Sequence, residues 1–214
     1  LFNNQVYGLT KGQVSPTSPL GTKSQSTPDG SIENPVNTIG VAIGSEASFI
    51  GRTVDVFQKH LSGVLKRAAV HRGAALVEIA QNCIIFNDGA WAHMTAPENR
   101  QQNVLYLEHG QPMRFGNQGE KGIRLNGLTP EVVSVDEVGE ENLLIHDEQA
   151  AEPTLAYLLS RMGPPDFPIP VGVFRAIDKP VYSQRLMAKV HAAQAEKQPD
   201  LEALFRQGEC WDVS

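Results

Sequence analysis

The pattern of apolar and polar positions predicts a strand–helix–strand unit in the first half of the chain. Short apolar runs at residues 47–50 and 75–79 are typical of buried strands. Between them, apolar side chains recur at helical spacing over residues 57–68, and Gly73 supplies a helix stop. Because two strands joined through a helix run parallel to each other, this unit predicts a parallel sheet.

Two helices have recognisable starts. Asp55 and Gln58 form a capping-box-like start for the helix of this unit. An earlier helix is predicted to begin at Asn34 and Pro35, a preferred N-cap residue followed by a preferred first helical residue. The body of that helix, up to residue 44, is small and apolar, which suits close packing against a sheet.

The middle of the chain is predicted to form a small β excursion. Residues 104–107 and 112–115 are expected to pair as a hairpin, and short extended pieces continue at 123–125 and 131–135. The acidic segment 136–152 has few apolar residues, which is typical of a solvated connector.

The last third of the chain is predicted to be mostly helical. Residues 154–162 have an amphipathic helical pattern, and a longer helix is expected from Val181 to about Gln198. A short final helix follows at residues 200–207. By contrast, the segment 167–174 contains proline and is expected to be irregular or edge-like.

Together these elements predict an α/β fold: a parallel sheet with flanking helices, a small β excursion and a C-terminal helical tail. We expect three parts, at residues 1–103, 104–150 and 151–214. The first would hold the parallel sheet, the second the β excursion and the third the helical extension.

Composition narrows the class of protein. With 41% hydrophobic and 20% charged residues, the chain resembles an ordinary soluble globular protein. Its net charge of −6, with Lys and Arg scattered, indicates no nucleic-acid or anionic-membrane surface. No apolar run approaches the roughly 20 residues that cross a bilayer. Cys83 and Cys210 lie far apart, which favours a reducing, cytoplasmic compartment.

Polar residues follow two of the predicted strands. Leu1 and Phe2 have the character of a strand end, and Asn4 lies in the turn that follows. An amide oxygen of Asn4 and the backbone carbonyl of Val6 are suited to Mg²⁺, although an Asn-Asn turn is also ordinary turn chemistry. The strand at 75–79 leads to Cys83. Because parallel strands share one carboxyl edge, Cys83 and Asn4 are expected on the same side of the sheet.

Residues 3–13 (NNQVYGLTKGQ), followed by SPTS at 15–18, resemble the thiamine-diphosphate loop of the β subunit of 2-oxoacid:ferredoxin oxidoreductases of the 2-oxoglutarate type. The resemblance implies that Asn4 and Val6 hold the Mg²⁺ of the diphosphate. It also implies that the cofactor is bound by the turn that follows, namely by Tyr7, Gly8, Leu9 and Thr10.

The family's cofactor segment opens with a Gly-Asp-Gly motif that this sequence lacks. We therefore expect a fragment: residues 1–103 would be the C-terminal part of a thiamine-diphosphate-binding domain, without the N-terminal half and its metal-binding Asp.

Cys83 has two interpretations. By itself it is a small buried hydrophobe, as most free cysteines are. However, LVEI at 76–79, QNC at 81–83 and FNDG at 86–89 also resemble the β subunit of this family. The resemblance implies that Cys83 is the last of four thiolate ligands of a [4Fe–4S] cluster, with the other three in the missing half. Cys210 receives no role.

The loop residues leave two questions open. Lys11 is either a solvated surface group or a cation that pairs with the substrate carboxylate, which would favour a dicarboxylic 2-oxoacid. The Ser/Thr/Pro-rich segment 14–31 is either a flexible linker or an ordered active-site loop. His93 and His109 are expected to be structural or exposed, and Asp88-Gly89 to be a turn. No hydrolase, Walker or paired-cysteine zinc motif is present in the sequence.

The resemblance implies an oxidoreductase that converts 2-oxoglutarate or a related 2-oxoacid and CoA to acyl-CoA and CO₂. Its cofactors would be thiamine diphosphate, Mg²⁺ and a [4Fe–4S] cluster, and electrons would pass to ferredoxin. The implied partner is an α subunit, in a heterotetramer of two α and two β subunits. The alternatives are a non-redox thiamine-diphosphate decarboxylase or transferase, and an inert α/β fragment or interaction subunit.

Overall fold

The computed structural model describes residues 1–196, 200–208 and 211. Its strands, in chain order, are β1 (Phe2–Asn3), β2 (Phe49–Val54), β3 (Ala75–Ala80), β4 (Val104–Leu107), β5 (Arg114–Phe115), β6 (Lys121–Asn126), β7 (Thr129–Ser134) and β8 (Ile169–Ala176). Its helices are α1 (Thr38–Gly44), α2 (Gln58–Val70), α3 (Ala92–Thr95), α4 (Pro97–Asn103), α5 (Val135–Val138), α6 (Thr154–Ser160), α7 (Tyr182–Glu196) and α8 (Leu201–Phe205), with a 3₁₀ turn at Glu140–Asn142.

The central sheet has five strands in the order β1-β3-β2-β8-β4. Strands β1, β3 and β2 are parallel to one another, and β8 runs antiparallel to β2. Helix α2 connects β2 to β3, so the predicted strand–helix–strand unit and the α/β fold class are confirmed. Strand β2 is buried on both faces at every position except Arg52, as a central strand covered by helices requires.

Two predictions are wrong at strand β8: the irregular segment at residues 167–174, and the hairpin between residues 104–107 and 112–115. The segment expected to be irregular forms a strand in the interior of the sheet, buried at every position except Ala176. Pro168 and Pro170 are tolerated because they lie at the start of the strand, outside the part that pairs with β2. The predicted hairpin is also wrong, because β4 pairs in parallel with β8.

A second sheet of three antiparallel strands, β5-β6-β7, forms the small β excursion. The acidic segment that follows it is not simply a solvated connector, since it contains α5 and three buried side chains: Leu143, His146 and Glu148. The Arg67 guanidinium on α2 forms a bidentate ion pair with the Glu148 carboxylate. The Glu148 carboxylate therefore attaches this segment to helix α2.

Two predicted helix starts are also wrong. Helix α1 begins at Thr38, and its N-cap is Asn37, whose side-chain oxygen accepts a bond of 3.0 Å from the Gly40 N–H. The preceding residues stay extended because the Val36 N–H bonds to the Pro16 carbonyl. At α2 the Asp55 carboxylate accepts from its neighbour Val56, so no capping box forms.

Residues Leu1–Asp178 form one compact unit, and Lys179–Ser214 form a second. The boundaries predicted at 103 and 150 both fall within the first unit, and strands on either side of each boundary belong to one sheet. In the second unit α7 and α8 confirm the expected helices, and Asp200 caps α8 through a bond from the Ala203 N–H. The predicted end of the long helix at Gln198, and Cys210, lie outside the described residues.

Candidate functional site

The carboxyl ends of β1 and β3 bring two chain segments together at one edge of the sheet. Asn3 is in register with Ala80, and the chain leaves the sheet at the next residue on both strands. A Cβ atom built on Gly8 would lie 3.6 Å from the Cys83 Sγ. The prediction from topology that the amide pair and the thiol share an edge is therefore confirmed.

Two oxygen atoms of the loop after β1 are available to a ligand. The Asn4 amide nitrogen donates to the Gln81 side-chain oxygen at 3.2 Å. This bond fixes the amide plane, and among the described residues no donor reaches the Asn4 Oδ1 or the Val6 carbonyl oxygen. Neutral amide and carbonyl oxygens are hard ligands, so this pair fits a magnesium ion.

The rest of the loop is a tight turn. The Tyr7 N–H donates to the Gln13 carbonyl, and the Gly12 N–H returns a bond to the Tyr7 carbonyl, both at 2.9 Å. Gly12 has φ +99°, and a Cβ there would come within 3.0 Å of the Phe86 ring. Glycine is therefore needed at this position, since it allows both the left-handed backbone and the close approach of the ring.

The tip of this turn is exposed in the described chain. The Leu9 side chain is 99% exposed, and Thr10 and Lys11 are also exposed. Lys11 has φ +73°, and its N–H bonds to the Gly8 carbonyl at 3.1 Å. The position of Lys11 at the tip leaves its ammonium free to meet a substrate or another chain, and its role stays a prediction.

Cys83 lies at the start of the turn after β3 and is partly exposed. Its carbonyl accepts from the Asn87 N–H at 2.9 Å, and the side chains of Ile84 and Ile85 beside it are 77% and 76% exposed. The thiol is therefore not enclosed in the core. Within the described residues no three His, Cys, Asp or Glu side chains converge on a metal site, so Cys83 is a single possible ligand.

A buried polar network behind the loop was missed by the sequence analysis. Glu78 is 4% exposed; its Oε2 accepts from the Arg52 Nε at 2.6 Å and its Oε1 from the Asn3 Nδ2 at 2.7 Å. Burial raises the pKa of Glu78, but the Arg52 charge and hydrogen bonding from Thr38, Arg52 and Asn3 outweigh it, and the pKa lies below its ordinary value. A glutamate within the apolar strand β3 was the signal that could have revealed the network.

The same network orders the segment after the loop. The Asn3 Oδ1 accepts from the Thr17 hydroxyl at 2.8 Å, and the Ser18 hydroxyl donates to the Gln5 carbonyl at 2.6 Å. On the other side, the Trp91 indole N–H donates to the Asn3 carbonyl at 2.9 Å. The structure thus favours the ordered loop over the flexible linker for the segment that contains Thr17 and Ser18.

Two cavities flank the loop. One, of about 670 Å³, is bordered by Asn4, Val6 and Thr17, with Val36 and Thr38 on the far side. The other, of about 660 Å³, lies against the Ser/Thr-rich loop. The first cavity is lined by both residues that carry the available oxygens, which makes it the candidate for the diphosphate end of a cofactor.

The remaining residues of interest have structural roles. His93 is half-buried, which lowers its pKa, and its carbonyl accepts from the Asn103 amide. The His109 ring lies 3.6 Å from the Asp147 carboxylate at the surface. Gly89 has φ +80°, and its N–H bonds to Asn82, so the predicted turn at residues 88–89 is confirmed.

Comparisons with known proteins point to one family. Residues 1–79 match the model of the thiamine pyrophosphate enzyme, C-terminal TPP binding domain. The chain is 43% identical to the 2-oxoglutarate oxidoreductase subunit KorB of Mycobacterium tuberculosis over 195 residues. That match covers 91% of this chain and 52% of the relative.

Two further matches agree with this. The β subunit of 2-oxoacid:ferredoxin oxidoreductase 1 of Aeropyrum pernix is 42% identical over 88 residues, which is 41% of this chain and 28% of that subunit. Among solved structures, the 2-oxoglutarate:ferredoxin oxidoreductase of Magnetococcus marinus, with 2-oxoglutarate, coenzyme A and succinyl-CoA bound, has the same fold. Its TM-score is 0.66 at 22% identity, over 96% of this chain and 55% of that one.

The chain spans about half the length of the Mycobacterium subunit that it resembles along most of its own length. The strand edge, the loop and the sequence similarity are consistent with one another. Along most of its length the chain is therefore related to the β subunits of 2-oxoacid:ferredoxin oxidoreductases.

Proposed function

We propose that this chain forms part of the β subunit of an enzyme that oxidatively decarboxylates 2-oxoglutarate or a related 2-oxoacid. The products would be acyl-CoA and CO₂, with ferredoxin as the electron acceptor. The observation that supports this most is the closeness of the loop after β1 to Cys83 after β3, since a Cβ built on Gly8 would lie 3.6 Å from the Cys83 Sγ. A diphosphate-binding turn and a thiolate ligand at one strand edge suit an enzyme that must pass electrons from a cofactor to an iron centre.

Asn4 and Val6 would hold Mg²⁺ through the Asn4 Oδ1 and the Val6 carbonyl, and the ion would bind the diphosphate of the cofactor. Residues Tyr7 to Thr10 would line the cofactor as the turn that encloses it. When bound, thiamine diphosphate supplies the electron sink for loss of CO₂, while the protein provides orientation and electrostatics. Two loop oxygens do not complete an octahedral site, so further ligands would come from the diphosphate and from residues outside this chain.

Cys83 would be one of four thiolate ligands of a [4Fe–4S] cluster. Three more thiolates are required, and within the described residues Cys83 has no cysteine neighbour. The exposed side chains of Ile84 and Ile85 beside it favour cover by another part of the assembly, because apolar groups of this size are seldom left in water together.

Partners of the chain would be an α subunit, in an assembly of two α and two β subunits, with CoA and the 2-oxoacid as substrates. A cytoplasmic location suits a free thiol and an iron–sulfur centre. Among the described helices none is long and apolar enough to cross a membrane.

The test is made on the complete assembly purified without oxygen. We expect 2-oxoacid- and CoA-dependent reduction of ferredoxin that requires thiamine diphosphate, together with a brown colour and acid-labile sulfide. A Cys83→Ala variant should lose the iron, the sulfide and electron transfer. Its control is Ile84→Ala, which removes a neighbouring side chain without removing a thiolate.

Each other result identifies an alternative. A colourless assembly that still turns over 2-oxoacids with thiamine diphosphate would be a non-redox decarboxylase or transferase. An assembly that neither binds thiamine diphosphate nor contains iron would be inert, and the proposal would then be wrong.

A further inference from the structure

The buried ion pair behind the loop connects three strands through one carboxylate. Arg52 on β2 is the register partner of Glu78 on β3, and its guanidinium also lies 5.4 Å from the centre of the Phe174 ring. Asn3, at the end of β1, lies on the same face of the sheet and donates to the Glu78 carboxylate. The carboxylate of Glu78 thus has a charged donor on one side and an amide donor on the other.

An ionised carboxylate accepts hydrogen bonds and cannot donate them. Glu78 therefore fixes the orientation of the Asn3 side chain: its NH₂ group must face the carboxylate, and its oxygen must face the loop. That oxygen accepts from the Gln5 N–H at 3.1 Å and from the Thr17 hydroxyl at 2.8 Å. If the amide were reversed, its NH₂ group would face the Gln5 N–H, and two donors would oppose each other.

The bond to Gln5 matters because Gln5 lies between the two oxygens assigned to the metal. Gln5 has φ +54°, a left-handed conformation that non-glycine residues rarely adopt without support. The bond from its N–H to Asn3 stabilises that conformation. The direction of the chain between Asn4 and Val6 therefore depends on the orientation of the Asn3 amide.

We propose that Glu78 is a positioning residue, which acts through Asn3 to hold the Asn4 and Val6 oxygens in place for Mg²⁺ and the diphosphate. This inference rests on the proposed function of the loop. It gives the two neighbouring asparagines separate tasks, because Asn3 supports the turn from the sheet side while Asn4 faces the ligand.

The test is a Glu78→Gln variant of the complete assembly, in which the binding of Mg²⁺ with thiamine diphosphate is measured by calorimetry. The introduced amide has one acceptor oxygen, whereas the Arg52 guanidinium and the Asn3 amide each donate to a carboxylate oxygen of Glu78. The orientation of Asn3 is therefore no longer fixed. We expect the affinity to fall roughly 10- to 100-fold, the usual effect of losing a group that orients a metal ligand. A purely structural role for Glu78 would lower the melting temperature and leave the affinity unchanged.

Glu148→Gln is the matched control. Glu148 is buried to a similar extent, at 5% exposed, and also pairs with an arginine, Arg67. No described bond of Glu148 reaches the loop. This control should lose stability while it keeps its affinity for Mg²⁺ and thiamine diphosphate.

A double variant, Glu78→Gln with Asn3→Asp, exchanges the two functional groups. The introduced amide at position 78 can accept from Arg52 and donate to the introduced carboxylate at position 3, whose other oxygen can accept from Gln5 and Thr17. Every donor then has an acceptor again. We expect the double variant to recover most of the affinity that Glu78→Gln loses.

The outcomes separate this inference from the proposed function. If the unmodified assembly binds no thiamine diphosphate, the proposed function is wrong. If it binds and Glu78→Gln binds equally well, only the inference is wrong. Should Glu78→Gln fail to fold, Asn3→Ala decides, because it removes the amide through which Glu78 acts and leaves the ion pair with Arg52 in place. An Asn3→Ala affinity equal to that of the unmodified protein would then overturn the inference.

Discussion

Two adjacent residues of the same type have different environments at the end of β1. Asn3 is buried at 6% exposure, and both its side chain and its carbonyl are bonded to neighbouring elements. The Asn4 backbone carbonyl accepts from the Asn87 amide at 2.9 Å, but among the described residues its side chain is bonded through the amide nitrogen alone, and it borders a cavity. The first asparagine is therefore part of the fold, and the second is the one that presents an oxygen to a ligand.

Lys11 provides a prediction about substrate choice. If its ammonium pairs with the distal carboxylate of 2-oxoglutarate, Lys11→Asn should raise KM for 2-oxoglutarate about tenfold, the size expected of one charge-assisted hydrogen bond. KM for pyruvate, which has no second carboxylate, should stay the same. Asparagine is chosen because it tolerates the left-handed backbone of φ +73° at this position.

Steady-state kinetics with both substrates is the measurement, and Lys11→Arg, which keeps the charge, is the control. An unchanged ratio of the two KM values in Lys11→Asn would remove Lys11 from the site.

Some residues of the site could be predicted from sequence, and others could not. Asn4, Val6 and Cys83 follow strand ends, and the parallel unit placed them on one edge of the sheet. The roles of Glu78 and Thr17 depend on which side chains face each other across three strands, and this register is a tertiary property. A period-2 pattern identifies the face of a strand and does not identify the partner.

The strands and helices show the same limit. The pattern predicted β2, α2 and β3 because local periodicity and burial agree there. It failed at β8, where proline suggested an edge, because the sequence does not reveal that β2 pairs only with the later part of that strand. It also failed at β4, because the register partner of Val104 is Ile169, far along the chain, and an apparent hairpin was closer.

The burial of β4 at the edge of the sheet leads to a stability prediction. Leu105 is fully buried on β4, in the same apolar cluster as Ile50 and Phe174. Leu105→Ala should lower the free energy of unfolding by about 2–5 kcal/mol, the cost of an unfilled cavity. Leu128, in the turn of the β6–β7 hairpin, is 86% exposed. The Leu128→Ala change should therefore alter the free energy of unfolding by less than about 0.5 kcal/mol.

Urea unfolding of the purified protein, followed by circular dichroism, measures both variants. Equal and small effects would contradict a buried β4.

At the scale of the whole molecule, the segment from Leu143 to Glu148 joins the second sheet to the first. The ring of His146 is completely buried, and its Nε2 bonds to the Val173 carbonyl on β8 at 2.7 Å. Its backbone N–H donates to the Gln111 carbonyl at 3.0 Å, and its carbonyl accepts from the Gly110 N–H at 2.8 Å. The stability of the first unit therefore depends on an imidazole that must stay neutral.

This dependence predicts how stability changes with pH. Burial lowers the pKa of His146 below its ordinary value of 6.5, although the Val173 carbonyl and the Glu148 carboxylate act in the opposite direction. The unfolded state therefore binds more protons, and the free energy of unfolding should decrease as pH falls below about 6.5. Above that pH the contribution of His146 to stability is fully present.

The measurement is the melting temperature between about pH 8 and pH 5. His146→Gln, which keeps a donor for the Val173 carbonyl and cannot titrate, should show a weaker pH dependence. His191→Gln is the control, since His191 is exposed on α7. Identical profiles for His146→Gln and the unmodified protein would rule out His146 as the source.

The bond between the Trp91 indole and the Asn3 carbonyl has a practical consequence. Indole emission is sensitive to hydrogen bonding and to nearby charge, and this ring is attached to the residue that supports the ligand-binding turn. The chain has one other tryptophan, Trp211, which is 82% exposed and lies in the second unit. With Trp211 replaced by phenylalanine, the protein would contain a single tryptophan, placed to report occupancy of the turn without an added label.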